Sequence, residues 1–294
     1  MGLFSRSYYK EGPGVDPDEP QKRSFFRFFD IFKRKIGHFA RANLIYSLVC
    51  IPMFIIVLAI LSYITSSIIA LLFPELTGEN VGVVFLSVIL SALYIAVVGV
   101  GPITAGFTYI MRNYAREEHA WLWSDFKDTV KKNFKQSIAV FAIDIVVLFL
   151  IFFASFIYLQ LSGGIAYLRY ILYIIGIVYA MMHFYIYQIM ITFDMSVKEI
   201  MKNSFIFTLI RLPMNIFFLI IQILVHVALP IILIMNFAVS PQVMMIAVII
   251  ITVLEISLTQ SFTSFMVNFG VQGTINKFMM NGIEEKTAEN NEEK

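Results

Sequence analysis

Four ionisable side chains fall inside long apolar stretches of this chain: Asp144, His183, His226 and Glu255. A charged group at the centre of a membrane helix costs roughly 2.5–3.5 kcal/mol on insertion scales, so such residues mark either chemistry or a specific polar contact. Helical rise puts His226 and Glu255 about 18–20 Å from one end of their stretches, near the midplane, on consecutive antiparallel segments where they can pair. Asp144 lies about 9 Å and His183 about 15 Å above the cytoplasmic boundary, a poorer match in depth. A histidine and a carboxylate in the bundle can carry a proton or line a substrate site. The competing reading is a protonated or hydrogen-bonded residue that fixes helix packing, aided by Gln222, Gln260 and Asn268.

No catalytic motif accompanies them. The chain has no H-E-x-x-H and no G-x-S-x-G, and Gly99 and Gly101 lack the Gly-Lys-Ser/Thr of a phosphate-binding loop. The four histidines, His38, His119, His183 and His226, show no metal-ligand spacing. The expectation is a protein that is not an enzyme, with no catalytic residues, no metal and no cofactor, and one that cannot drive transport with ATP by itself.

The elements that position these residues are membrane helices. Hydrophobic residues make up 59% of the sequence and charged residues 14%, against about 25% charged in soluble domains. Mean hydropathy is +0.80. A net charge of +2 is too small to suggest nucleic acid. The single cysteine, Cys50, excludes an internal disulfide and reads as a small buried hydrophobe. Six stretches reach the roughly 20 residues a crossing needs: Leu44 to Phe73, Val81 to Met111, Ile138 to Leu161, Ile165 to Phe193, Met214 to Phe237 and Gln242 to Phe269. The expected fold class is all-α, with six transmembrane helices.

Basic residues alternate between the connections. The N-terminal arm carries nine Lys and Arg, the second connection six, the fourth three and the tail three, while the first, third and fifth carry none. The positive-inside rule then places both termini in the cytoplasm of a multi-pass protein. Arg169, at the outer end of the fourth helix, is read as snorkelling to the headgroups. The first apolar run lacks a small-residue cleavage site and is expected to stay as a helix, and Arg6 breaks the myristoylation pattern. The division is an arm over 1–43, a membrane domain over 44–269 and an acidic tail over 270–294.

Amphipathic segments precede the first, third and fifth membrane helices. Phe25, Phe28, Phe29, Phe32, Ile36 and Phe39 recur at helical spacing beside basic residues, as do Trp123, Phe126, Val130 and Phe134 beside Lys127, Lys131, Lys132 and Lys135. In the third, Val197, Ile200, Met201 and Phe205 share a face, and Ser196 with Glu199 forms a capping box. Such segments suit helices lying in the plane of the interface, in contact with the lipid bilayer. The Gly99 to Ser137 stretch is read as a membrane-exit junction. Its Gly-Pro break kinks the second helix and lets another approach closely, or else makes a discontinuous helix that lines a substrate site. Arg112, Arg116, Trp121, Trp123, Phe126, Lys131 and Lys132 are its candidate partner or membrane-interface contacts.

Together, YYKEGPGVDPDEPQKRSFFRFFDIF, ARANLIYSL with Pro52, GPITAGFTYIMRNYAREE, WSDFKDTVKKNFKQS and VKEIMKNS run in order over most of the chain, which thereby resembles the YesL family of bacterial integral membrane proteins. That resemblance implies a multi-pass protein of the bacterial cytoplasmic membrane, in a family commonly encoded beside the permease subunits of carbohydrate ABC importers. It points to an accessory or assembly subunit that contacts the permease and possibly the ATPase. The alternative is an independent proton-coupled transporter or channel using His226 and Glu255.

Overall fold

The computed structural model describes residues 23–72, 97–237 and 240–280. Among these every regular element is helical. Helix α1 (Ser24–Arg34) turns at Lys35 into α2 (Ile36–Leu72), whose 37 residues contain Pro52. After an irregular stretch at Val98–Val100 come α3 (Gly101–Ala115), α4 (Leu122–Lys132) and α5 (Phe134–Gln160). A single 3-10 turn leads into α6 (Leu168–Thr192), followed by α7 (Val197–Ile210) and α8 (Leu212–Ile223). A π turn, Leu224–Ala228, joins α8 to α9 (Leu229–Phe237); a second, Glu255–Thr259, joins α10 (Pro241–Leu254) to α11 (Gln260–Ile275); a third follows at Asn276–Met280.

Four stretches, Phe134–Ile151, Gly164–Thr192, Leu212–Asn236 and Gln242–Met280, are long and apolar enough to cross a bilayer, which makes this a multi-pass membrane protein. They coincide with the last four crossings expected from sequence. Residues 44–72 of the first expected crossing lie in α2; its last residue, Phe73, and residues 81–96 of the second lie outside the described residues.

Polarity is arranged as a lipid solvent demands. Ile145, Val146 and Phe149 on α5, Ile171 and Ile174 on α6, and Ile249, Ile250 and Val253 on α10 are exposed. Asn43, Thr108, Ser137, Ser204, Asn215, Gln222 and Ser261 are buried. Lipid tails solvate apolar side chains as well as a protein interior does, so small and polar residues between helices supply the adhesion.

Helix α3 is the hub, packing against α2, α4, α5, α6 and α11. Gly106 permits this: a Cβ there would collide with Val130 and the Phe126 carbonyl of α4. Past its end, Glu117 takes a left-handed conformation (φ 61), and its carboxylate receives Arg27 at 3.1 Å together with Arg34, tying α1 to the α3–α4 turn. Burial works to raise the Glu117 carboxyl, but hydrogen bonds and charge from the two arginines outweigh it and hold the group below its ordinary value of 4.5.

Each amphipathic segment buries part of its apolar set and leaves the rest exposed. On α1 Phe28 and Ile31 are buried while Phe25 and Phe29 are exposed, and past the turn at Lys35 Phe39 is in the core and Ile36 outside it. On α4 Phe126 and Thr129 face inward, and Trp123 and the following Phe134 face out. On α7 the buried set is Ile200, Ser204, Phe207 and Thr208, one helical stripe that excludes Phe205. The Ser196 capping box does form: Glu199 Oε2 accepts the Ser196 N–H at 2.8 Å, and Ser196 Oγ accepts the Glu199 N–H at 3.4 Å. Boundaries shift too. Helix begins at Ile36, ahead of Leu44, and the last helical run continues from Phe269 to Met280 with Val271, Ile275 and Met279 buried, so residues 270–280 are packed against the bundle.

Candidate functional site

His226 and Glu255 stand in two π turns that face each other, and His226 Nδ1 lies 3.0 Å from Glu255 Oε2. A π turn inserts one residue into the helical ladder and leaves backbone carbonyls without their usual partners. Asn43 of α2 satisfies them: its Nδ2 donates to the carbonyls of Glu255 (2.8 Å) and Ile256 (2.7 Å), and its Oδ1 accepts the Ser261 N–H. Ser261 Oγ in turn donates to the Phe39 carbonyl at 2.8 Å. One buried asparagine thus holds the distorted turn that aims Glu255 at His226.

The Thr263 oxygen lies 3.1 Å from His226 Nε2 and within hydrogen-bond reach of the carbonyls of Thr259 and Gln260 in its own helix. Each ring nitrogen of His226 therefore has a polar partner, Glu255 at Nδ1 and Thr263 at Nε2. The Glu255 side chain retains 33% exposure, so this pair is reached from outside the bundle.

Asp144 and His183 form a second pair, which their mismatched depths had argued against. His183 Nε2 lies 2.9 Å from Asp144 Oδ1, and both side chains are fully buried. Helical rise measures depth along separate axes, whereas the long imidazole side chain, one turn beyond Tyr179 on α6, reaches across to α5. His183 Nδ1 lies 3.1 Å from the Tyr179 carbonyl, so both of its ring nitrogens have a polar partner. The Tyr179 hydroxyl donates to the same Oδ1 at 2.6 Å. Sequence reasoning named all four ionisable residues but missed Asn43, Tyr179 and Thr263. A neutral residue carries no desolvation signal strong enough to stand out in an apolar run.

The junction residues separate into two groups. Arg112 is buried, not a surface contact: its guanidinium donates to Thr192 Oγ1 at 2.9 Å and to Asn113 Oδ1, and lies 4.7 Å from the Tyr109 ring centre. Phe126 is likewise packed inside, under α3. Arg116 is half-buried, 3.9 Å from Glu118. Trp121, Trp123, Lys131 and Lys132 are exposed. Among the described residues no three His, Cys, Asp or Glu side chains converge as metal ligands.

Comparison with curated proteins gives no match, and comparison with solved structures gives none. Residues 81–155, which contain the helix break, α3, α4 and most of α5 with Asp144, are similar to the family described as Protein of unknown function, DUF624.

Proposed function

We propose that this protein is a non-catalytic accessory or assembly subunit of a carbohydrate ABC importer in the bacterial cytoplasmic membrane. In this reading α2 is the first of six crossings, both termini are cytoplasmic, and α1, α4 and α7 lie at the cytoplasmic face. The observation that carries it is the surface at the start of α4. Trp121 and Trp123 are 70% and 59% exposed, beside exposed Lys127, Lys131 and Lys132. Tryptophan is enriched in the anchoring positions of protein interfaces, and lysine with tryptophan also suits lipid headgroups. The resemblance to the YesL family, which contains DUF624, supports the partner class. The test is affinity purification at native expression in mild detergent. Recovery of a sugar permease and its ATPase supports the reading; recovery of the protein alone contradicts it.

A second reading, an independent proton-coupled transporter or channel, is favoured by a specific observation: two histidine–carboxylate pairs stand in hydrogen-bond contact among the helices. It requires solute flux in vesicles containing only this protein, and loss of that flux in Glu255→Gln with the fold retained. Wild-type vesicles that move no candidate solute contradict it.

A further inference from the structure

A cavity of about 40 Å³ lies where the irregular stretch before α3 meets α6, α8 and α11. Its wall includes Gly99 and Thr104 at the break and the amides Gln188, Gln222 and Asn268. These three side chains are 1%, 2% and 4% exposed, yet Gln188 Oε1, Gln222 Oε1 and Asn268 Oδ1 have no hydrogen-bond partner among the described residues. Asn268 Nδ2 donates to the Ser264 carbonyl at 2.8 Å, which can only accept, so Oδ1 is the free end. Gln188 is bonded at one end of its amide to Gln272 at 3.2 Å, which leaves the other end facing the cavity.

We propose that this cavity is a binding site for a small cluster of water molecules that hydrogen-bond to the three unpartnered amide ends. A buried polar group left bare is costly, so a dry cavity carries a large penalty. The space suffices, since one water needs about 10–15 Å³ measured in this way. A metal cation is disfavoured by charge. Among the described residues no carboxylate lines the wall, and the first turn of α3 presents the positive end of its helix dipole. Hydration also accounts for the break at Val98–Val100, because non-helical backbone persists at membrane depth where it lines a water-filled space. The site is independent of any partner and of solute movement.

X-ray radiolysis tests it on the intact wild-type protein, because bound water generates hydroxyl radicals that oxidise the side chains around it. Phe107, Phe184 and Tyr187 line the cavity although they are at most 4% exposed; Phe39 and Phe265 are equally buried and do not. The expected result is oxidation of the first three at least about fivefold faster than of the two controls, unchanged when sodium is replaced by choline. Equal rates in both sets overturn the proposal. Rates that rise several-fold on sodium removal assign the cavity to a cation and overturn it too. In the double variant Gln222→Leu, Asn268→Leu the excess oxidation is expected to fall to control level, and persistence of the excess in a folded variant counts against water held by these amides.

Discussion

At the scale of the residue, the two histidine–carboxylate pairs look alike but differ in burial and in the number of partners. Glu255 gives one oxygen to one partner and is one-third exposed, so Glu255→Gln, which can meet His226 Nδ1 as donor or acceptor, is expected to leave thermal stability nearly unchanged, while Glu255→Ala is expected to cost about 1 kcal/mol. Asp144 Oδ1 accepts from the Tyr179 hydroxyl and also meets His183, with both side chains of the pair fully buried. Asp144→Ala is therefore expected to cost more, about 2–3 kcal/mol, and thermal unfolding in detergent checks both. Equal losses in the two alanine variants would contradict the greater dependence on the buried pair. The four ionisable residues were legible in the sequence because each breaks an apolar run. Their pairing was only half legible: depth alone matched His226 to Glu255 but missed that His183 reaches Asp144.

At the scale of the element, irregularities do the positioning. The π turn at Glu255–Thr259 depends on Asn43, which lies more than two hundred residues away in sequence. Asn43→Leu removes the donor to two carbonyls and the acceptor for the Ser261 N–H. Faster hydrogen exchange at residues 255–261 and a stability loss of about 2 kcal/mol or more are the expected outcomes, and unchanged exchange would contradict the role. No local propensity marks a π turn, because the same residues suit an α-helix. Tertiary contact selects it, so sequence periodicity reads straight through His226 and Glu255.

The docking of α1 is an element-scale feature as well, and it depends on pH. The Glu117 carboxyl is held below its ordinary value in the folded protein, so its contribution is present above that ordinary value of 4.5 and is lost as pH falls below it through the folded value. Glu117→Gln is expected to give α1 several-fold faster hydrogen exchange at pH 7, and wild type is expected to approach the variant only below about pH 4.5, after correction for intrinsic exchange. An α1 equally protected in wild type and Glu117→Gln would remove Glu117 from this role. The basic and aromatic composition announced α1 and α4 in the sequence. Which members of each apolar set are buried did not emerge, because that depends on tertiary neighbours: Phe28 and Phe32 pack against the core, and Phe126 and Val130 meet Gly106 of α3.

At the scale of the whole molecule, the apolar side chains exposed on the bundle and the polar ones buried within it suit a lipid surround, and the α3–α4 junction carries both tryptophans of the chain, exposed beside lysines. Four of the six crossings expected from apolar runs are seen among the described residues. The proposed partnership is made through that junction. Its most direct test is quantitative co-purification at native expression, comparing wild type with a Trp121→Ala, Trp123→Ala variant whose thermal stability is unchanged. Near-stoichiometric recovery of a carbohydrate permease and its ATPase is expected with wild type, and at least about tenfold less with the variant, as loss of central aromatic anchors produces. Wild-type protein recovered without either partner, or recovery indifferent to both tryptophans, would contradict it.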